Sequence, residues 1–383
     1  MRIAVLTHTF FPIVGGAEIG IHEIFQRFPD DDVTVITPIA ADYADAFSVA
    51  EHGGDTAYRV IRYVRRPSRF RSPRLRRLAS LLAWQEFRML RRMHRDAPLD
   101  AINVHFVQPF GLIALWSRLF LRVPVTLTLI GRTDVWASLS TNLRRHAAVA
   151  LRAASSSSQI TEFCLQGSPF ADVPVLPYGV DSAIYRPDPA ARARVRSRLG
   201  LPKDTTVLVA AQRLNSVKRV DVLIDVAAQL ELEDPGAFHL VVIGKGAEEA
   251  ALRDKVSASH ITNVTFVGFV PEDELPAYYA ASDIFVAHSM FETFGVMFAE
   301  AMATGLPIVA ARTSSVPMVV SDPDNGTLVE PFDVGSFVAA IRRLRADTRL
   351  AGEISRRNRE KATTLYDWSN IATQMRSLLG ARG

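Results

Sequence analysis

Two carboxylates and two cations are spaced as a polar reaction on an anionic substrate would require. Glu292 and Glu300 bracket the run Phe291-Glu292-Thr293-Phe294-Gly295-Val296-Met297-Phe298-Ala299-Glu300, which is otherwise almost wholly apolar. A lone carboxylate among Ala, Met and Phe is costly unless it has a partner. Sugar or ribose hydroxyls would serve, and an ion pair to a neighbouring arginine is the plain structural alternative. The loop that carries Glu292 leads into a helix expected to begin near Phe294-Gly295. Amides at such a start, around Phe294, Gly295 and Val296, can approach a phosphate closely beside a residue without a side chain. Arg213 and Lys218 lie in Ala211-Gln212-Arg213-Leu214-Asn215-Ser216-Val217-Lys218, directly after an apolar strand pattern. A forked guanidinium and a movable ammonium suit a diphosphate whose charge grows as it departs. Gly15-Gly16 and Gly244-Lys245-Gly246 are strand-to-helix turns that could present amides to an anion, though glycine pairs are also ordinary turns.

These residues need a scaffold that gathers strand ends, and the chain has the pattern for one. In the first half, Ile3–Thr7, Val33–Thr37, Ala101–Val104 and Val123–Leu129 read as short buried strands. Ile21, Ile24, Phe25 and Phe28 fall on one face of a helix that starts near Ala17. The proline-punctuated stretch Tyr185-Arg186-Pro187-Asp188-Pro189 reads as a linker. Beyond it, Thr206–Ala211, Leu240–Ile243, Val264–Phe266, Ile284–Ala287 and Ile308–Ala310 repeat the alternation with helices. The expected class is α/β, with two parallel sheets covered by helices on both faces. The expected divisions are 1–180, 181–365 and a last segment, 366–383, whose helix carries Trp368, Ile371, Met375 and Leu378 on one face and crosses back to the first domain.

Composition narrows the class of function. With 383 residues, 48% apolar and 22% charged, the chain is globular and large enough for two cores. The start, Met1-Arg2-Ile3-Ala4-Val5-Leu6, reads as a strand and not as a signal peptide, and no apolar run is long enough to span a bilayer. Cys164 is the only cysteine, so a cytoplasmic enzyme is expected. The net charge is only +4, yet Arg62, Arg65, Arg66, Arg69, Arg71, Arg74, Arg76, Arg77, Arg88, Arg91 and Arg92 crowd between Arg59 and Arg95 around the lone acid Glu86. Leu78, Leu81, Leu82, Trp84, Phe87 and Leu90 interleave with them at amphipathic-helix spacing. Three readings stand: a solvated loop and helix face, contact with anionic lipid at the inner face of a membrane, and, least favoured, nucleic acid, for which no module is present.

Metal and nicotinamide chemistry are not expected. No His and Cys spacing resembles a zinc site, and Asp322-Pro323-Asp324 reads as a turn before Asn325-Gly326 and not as a metal-holding Asp-x-Asp. No G-x-G-x-x-G follows the first strand. His8 and His105 follow apparent strands and either face a ligand or sit as core histidines.

Together these segments resemble the retaining glycosyltransferases of family four, which have the GT-B architecture of two Rossmann-like domains facing a central cleft. Glu292 and Glu300 match the family's E-x7-E motif, and Arg213 with Lys218 matches its Arg-x4-Lys pair. Gly15-Gly16, Gly179-Val180-Asp181, Gly268-Phe269-Val270 and Asn325-Gly326-Thr327-Leu328-Val329 also stand where the pattern expects them. The resemblance implies transfer of a sugar from a UDP- or GDP-type donor to an unidentified glycan, lipid or small-molecule acceptor, without a cofactor or metal. Glu292 would contact the donor sugar, Phe294-Gly295-Val296 would hold sugar and phosphate, and Glu300 would bind the ribose. Arg213 and Lys218 would neutralise the diphosphate. Backbone from Gly268 through Phe269 to Val270 would touch the base, with Gly244 nearby and Gly15-Gly16 closing over the donor.

Three positions depart from the family pattern. Ile130 precedes Gly131 where relatives often carry a histidine near the transferred sugar. Tyr178 replaces an asparagine before Gly179, and Ser314-Ser315-Val316-Pro317-Met318 lacks a frequent glutamate. All three lie outside the diphosphate core and read as altered sugar or acceptor specificity. A nucleotide-sugar epimerase or phosphorylase, and a non-catalytic nucleotide-sugar binder, remain the alternatives on the same fold.

Overall fold

The computed structural model describes residues 1–11, 15–39, 56–64 and 82–381. The chain divides into two compact units, Met1–Tyr178 with Trp368–Gly383, and Gly179–Asp367. Each unit is built on its own six-stranded, all-parallel sheet.

The first sheet comprises β1 (Arg2–Leu6), β2 (Asp32–Pro38), β3 (Tyr58–Tyr63), β4 (Ala101–His105), β5 (Val125–Leu129) and β6 (Ser156–Gln159) in the order β3-β2-β1-β4-β5-β6. The central strands are buried almost along their length because helices cover both faces, so they read as mainly apolar runs even where β4 and β5 bury Asn103, His105, Thr126 and Thr128. β3 and β6 escape that signal. β3 carries Arg59 and Arg62, and Arg62 is buried with its guanidinium donating to the Phe11 carbonyl at 2.9 Å. β6 is Ser-Ser-Ser-Gln; Ser156 and Gln159 are hydrogen-bonded internally, while the buried Ser158 hydroxyl has no partner among the described residues. Ser156 and Thr126 share a hydroxyl hydrogen bond of 2.8 Å, and the Gln159 amide donates to the Val173 carbonyl at 2.7 Å. The last helix, Trp368–Gly380, packs in this unit through Trp368, Ile371, Met375 and Leu379. Leu379, four residues beyond Met375, takes the buried position expected of Leu378.

The second sheet comprises β7 (Thr206–Ala211), β8 (Phe238–Ile243), β9 (Val264–Gly268), β10 (Ile284–Ala287), β11 (Ile308–Ala311) and β12 (Gly326–Val329), ordered β12-β11-β10-β7-β8-β9. Counted from its own first strand, this is the topology of the first sheet. In both, the chain leaves the first strand toward one edge and returns beside it as the fourth. Ligands of such folds bind outside the carboxyl ends of the strands at that reversal. In the second unit the reversal lies between β7 and β10, and Asp283 sets their spacing from below. Its carboxylate accepts from the Val207 amide (2.7 Å) and is paired with Arg192 (2.6 Å) and the buried Arg196 (2.5 Å). Among the described residues no helix is long and apolar enough to cross a membrane.

Candidate active site

The carboxyl ends of β7 and β10 bring two of the expected residues into contact. Lys218, in the loop after β7, forms a close ion pair through Nζ with Oε1 of Glu292, in the loop after β10. Both side chains are mostly shielded, 13% and 11% exposed, so their charges interact through a medium less polar than water. The two loops are stitched together by the Met290 amide donating to the Val217 carbonyl at 2.8 Å. The loop after β11 supports Glu292 from the other side. Its Ser314 hydroxyl accepts from the Glu292 amide (2.8 Å), and its Ser315 hydroxyl donates to the Glu292 carbonyl (3.0 Å). The serines that stand in place of the family's glutamate therefore hold the Glu292 backbone in position. Arg213 is exposed and makes no side-chain ion pair or hydrogen bond among the described residues.

Gly295 caps the helix Val296–Ala303 with φ of +82°, a left-handed conformation that glycine adopts without strain. A Cβ there would also meet the Phe298 ring at 2.8 Å. The Phe294 side chain is buried edge-to-face against Tyr366, which leaves its backbone as the part available to a ligand. Glu300, in the second turn of this helix, has tyrosine partners and not the arginine that the alternative reading required. Tyr279 donates to its Oε2 at 2.6 Å, and Tyr185 also hydrogen-bonds the carboxylate. Burial pushes the Glu300 carboxyl up to about 7, with the tyrosine hydrogen bonds opposing the shift.

The loops after β7, β8 and β9 nest closely, and this is why Gly244 is a glycine. It has φ of +124°, and a Cβ would lie 2.1 Å from the Gln212 carbonyl oxygen. Gly246 is held as tightly against the Leu214 carbonyl, at 2.0 Å. The Gly244 amide donates to the Gly268 carbonyl at 2.8 Å, so the expected base-contacting segment is tied to this loop. Within that segment Phe269 is 70% exposed while Val270 is buried. Gln212 joins the set unannounced: its Nε2 is buried without a partner among the described residues, one position before Arg213. His288 is another such residue. Buried and held neutral by desolvation, it accepts from the Phe332 amide through Nε2 at 2.8 Å, and Phe332 lies 4.7 Å beneath the Arg219 guanidinium.

In the first unit the corresponding reversal lies between β1 and β4. Gly15 caps the helix Gly16–Gln26 in an extended conformation, so a positive φ is not what requires glycine. Room is: the Glu18 carboxylate folds back to within 2.8 Å of where a Cβ would stand, and it accepts a short hydrogen bond from Thr9. After β4, Phe106 has φ of +69°, and the turn is fastened by the buried Asp134. The Asp134 carboxylate accepts from the amides of Val107 (2.9 Å), Ile130 (3.0 Å) and Gly131 (3.3 Å). Burial pushes it up to about 7, against the lowering effect of those amides. Ile130 is buried. His105 is fully buried, with both ring nitrogens unpartnered among the described residues, and burial drives it down to about 3. It is a neutral core residue and faces no ligand. His8 is half-buried, its ring edge-on to Phe106 at 4.1 Å. Tyr178, read from sequence as a specificity change, packs over the helix Gly16–Gln26. Its hydroxyl donates to the Ala17 carbonyl at 3.3 Å, and a Cβ on Gly20 would strike its ring at 2.5 Å.

Much of the arginine-rich stretch, 65–81, lies outside the described residues, including Leu78 and Leu81. Among the described residues no group of three or more His, Cys, Asp or Glu side chains could hold a metal ion. Asp322 and Asp324 are engaged separately, with Arg312 (3.1 Å) and Arg357 (3.2 Å).

Twin doubly wound sheets, the second with a cation and carboxylate pair at its reversal, make up the two-domain architecture of the GT-B fold. Comparison with known proteins supplies the family. The model of glycosyltransferase family 4 matches residues 14–184, and that of glycosyl transferases group 1 matches residues 191–362. The chain is thus a glycosyltransferase of the GT-B fold, related to these two families, one matched in each half. It is 28% identical to the GDP-mannose-dependent alpha-(1-6)-phosphatidylinositol monomannoside mannosyltransferase of Mycobacterium tuberculosis H37Rv, over 99% of this chain and 98% of that protein. Among solved structures, sucrose-phosphate synthase from Thermosynechococcus elongatus superposes with a TM-score of 0.80 at 21% identity, covering 98% of each chain. Anabaena Alr3699/HepE in complex with UDP does so with a TM-score of 0.79 at 22% identity, covering 98% of this chain and 99% of that one. At these identities the two structures establish the fold.

Proposed function

We propose that this chain is a retaining, metal-independent hexosyltransferase in which the unit Gly179–Asp367 binds the donor and the unit containing β1–β6 receives the acceptor. The observation that carries the reading is the shielded Lys218–Glu292 pair at the reversal of the second sheet. Without substrate, each charge compensates the other. A bound nucleoside-diphosphate sugar takes over both partners: its β-phosphate meets Lys218 and Arg213, and a sugar hydroxyl donates to Glu292. Gly295 and the first amides of the helix Val296–Ala303 face the phosphate, and Glu300, poised by Tyr279, accepts from the ribose. Gln212, Gly244 and the exposed ring of Phe269 complete the nucleotide end of the site.

In the reaction the bond between the anomeric carbon and the β-phosphate oxygen breaks as a bond to the acceptor oxygen forms on the same face. The acceptor proton passes to the departing phosphate, whose charge Arg213 and Lys218 stabilise. This route needs no protein nucleophile and no Lewis acid. The full-length similarity to a GDP-mannose-dependent enzyme makes GDP-mannose the first donor to test, and lipid-linked glycans the first acceptors. The test is transfer in the presence of a chelator, with the product's anomeric configuration read by NMR. An inverted linkage, or transfer that requires a divalent ion, would contradict the proposal. A second reading rests on Ile130, which places an alkyl group where relatives often have histidine. Donor binding with no turnover across a broad acceptor panel would favour that non-catalytic alternative.

A further inference from the structure

The first unit carries a surface that the transfer reaction does not use. The helix Trp84–Asp96 buries Phe87 and Leu90 and turns Trp84, Arg88, Arg91 and Arg95 outward at successive one-turn intervals. Beside it, the wide helical turn Ser117–Leu121 is closed by the Arg122 amide donating to the Ser117 carbonyl at 2.7 Å. That turn exposes Leu119 (57%) and Phe120 (62%) between the exposed Arg118 and Arg122.

The apolar tip is held in place. Phe120 packs 5.9 Å from the Phe87 ring and 6.3 Å from that of Trp116. Trp116 in turn meets Trp84 edge-on at 5.8 Å and donates its indole N–H to the Leu82 carbonyl at 2.8 Å. Leu82 and Trp84 are themselves nearly half exposed. A cluster of fixed, exposed apolar side chains rimmed by charge marks a contact surface.

We propose that this surface docks on an anionic bilayer, with Leu119 and Phe120 entering the headgroup–acyl boundary and the flanking arginines meeting lipid phosphates. Charge selects this occupant. Of the helix's two acids, Glu86 is buried against the Tyr63 hydroxyl at 2.5 Å and contributes nothing outward. Asp96, exposed at the last residue, is paired with Arg95 at 3.3 Å, which leaves Arg88 and Arg91 as the helix's outward charges nearer Trp84. The sequence from 65 to 81, which joins exposed Val64 to Leu82, contains seven arginines and no acid. Arginine stems lie along apolar surface while their heads reach phosphate, and exposed Trp and Phe belong at that depth. The inference is independent of the transfer reaction, because it uses none of the donor-site residues.

The test is flotation of the full chain with vesicles of phosphatidylcholine, alone or mixed with phosphatidylglycerol, at low and physiological salt. Binding is expected on the anionic vesicles only, and weaker at the higher salt. Leu119→Ser with Phe120→Ser should lower partitioning about tenfold or more, and Arg118→Glu with Arg122→Glu should abolish it. Both doubles should retain nucleoside-diphosphate binding and their circular dichroism. Tryptophan quenching by brominated lipid should report insertion in the native chain and fall in the serine double. Equal binding to neutral vesicles, indifference to the serine double, or a dimer that Phe120→Ser dissociates would each overturn the proposal. Vesicle binding by a chain with no transferase activity would defeat the functional reading and leave this one standing.

Discussion

The two sheets share a topology, yet their reversal points are built from different materials. At the carboxyl edge of the second sheet, charged side chains gather: Lys218 against Glu292, Arg213 exposed, Glu300 under Tyr279. At the first sheet the corresponding edge is shaped by backbone: Phe106 at positive φ, Gly15 beneath Glu18, and three amides gathered on Asp134. A diphosphate leaving group needs compensating charge, whereas a pocket for a neutral hydroxyl needs shape. The contrast therefore fits a donor side and an acceptor side, and it can be attacked from either end.

The largest effect is expected from Lys218→Ala, which strands Glu292 and, on the proposed function, removes leaving-group stabilisation. Turnover should fall ~10²–10³-fold, measured as acceptor-dependent release of nucleoside diphosphate. Asp134→Ala should break the comparison in the opposite sense. It leaves buried amides without an acceptor and should cost the first unit about 2–4 kcal/mol in denaturant unfolding, while nucleotide affinity stays unchanged. Gly244→Ala should cost the second unit roughly 1–3 kcal/mol and weaken nucleotide binding. The added methyl meets a backbone oxygen at 2.1 Å, at a φ that only glycine tolerates well. Gly15→Ala should cost under about 1 kcal/mol, because its methyl meets only the movable end of Glu18.

The two raised carboxyls make a matched pH prediction. Glu300 and Asp134 are each pushed up to about 7, so the native state holds protons that the unfolded chain releases. Their contribution to stability is complete below the unfolded values, near pH 4, and is lost as pH rises through about 7. Glu300→Gln should flatten that decline in the second unit's melting temperature between about pH 5 and 8, and leave the first unit's unchanged. An unaltered slope would mean that Glu300 is ionised in the native protein.

The sequence disclosed these two edges unequally, for the same physical reason that separates them. Charges placed after apolar strands stand out in a linear reading, so Arg213, Lys218, Glu292 and Glu300 were all legible. Gly244 was legible as a loop residue, although its tight fit against Gln212 was not. Asp134 looked like any acid in a polar loop, because its partners are main-chain amides from two separate segments. Strands β3 and β6 were missed since arginine and serine mask the apolar signature of buried strands. His105 was ambiguous by position, and only its complete burial shows it to be a core residue. Leu119 and Phe120 carried no signal in the sequence, because their exposure comes from the wide turn at Ser117–Leu121.

The most direct test of the central claim is calorimetric titration of GDP and UDP into the native chain and Lys218→Ala, followed by donor cleavage with GDP-mannose and UDP-sugars. One nucleoside diphosphate should bind the native chain, bind Lys218→Ala at least about tenfold more weakly, and be released from the matching sugar donor when acceptor is present. Equal affinity in the two proteins, or no binding of either nucleotide, would contradict a donor site built on the Lys218–Glu292 pair.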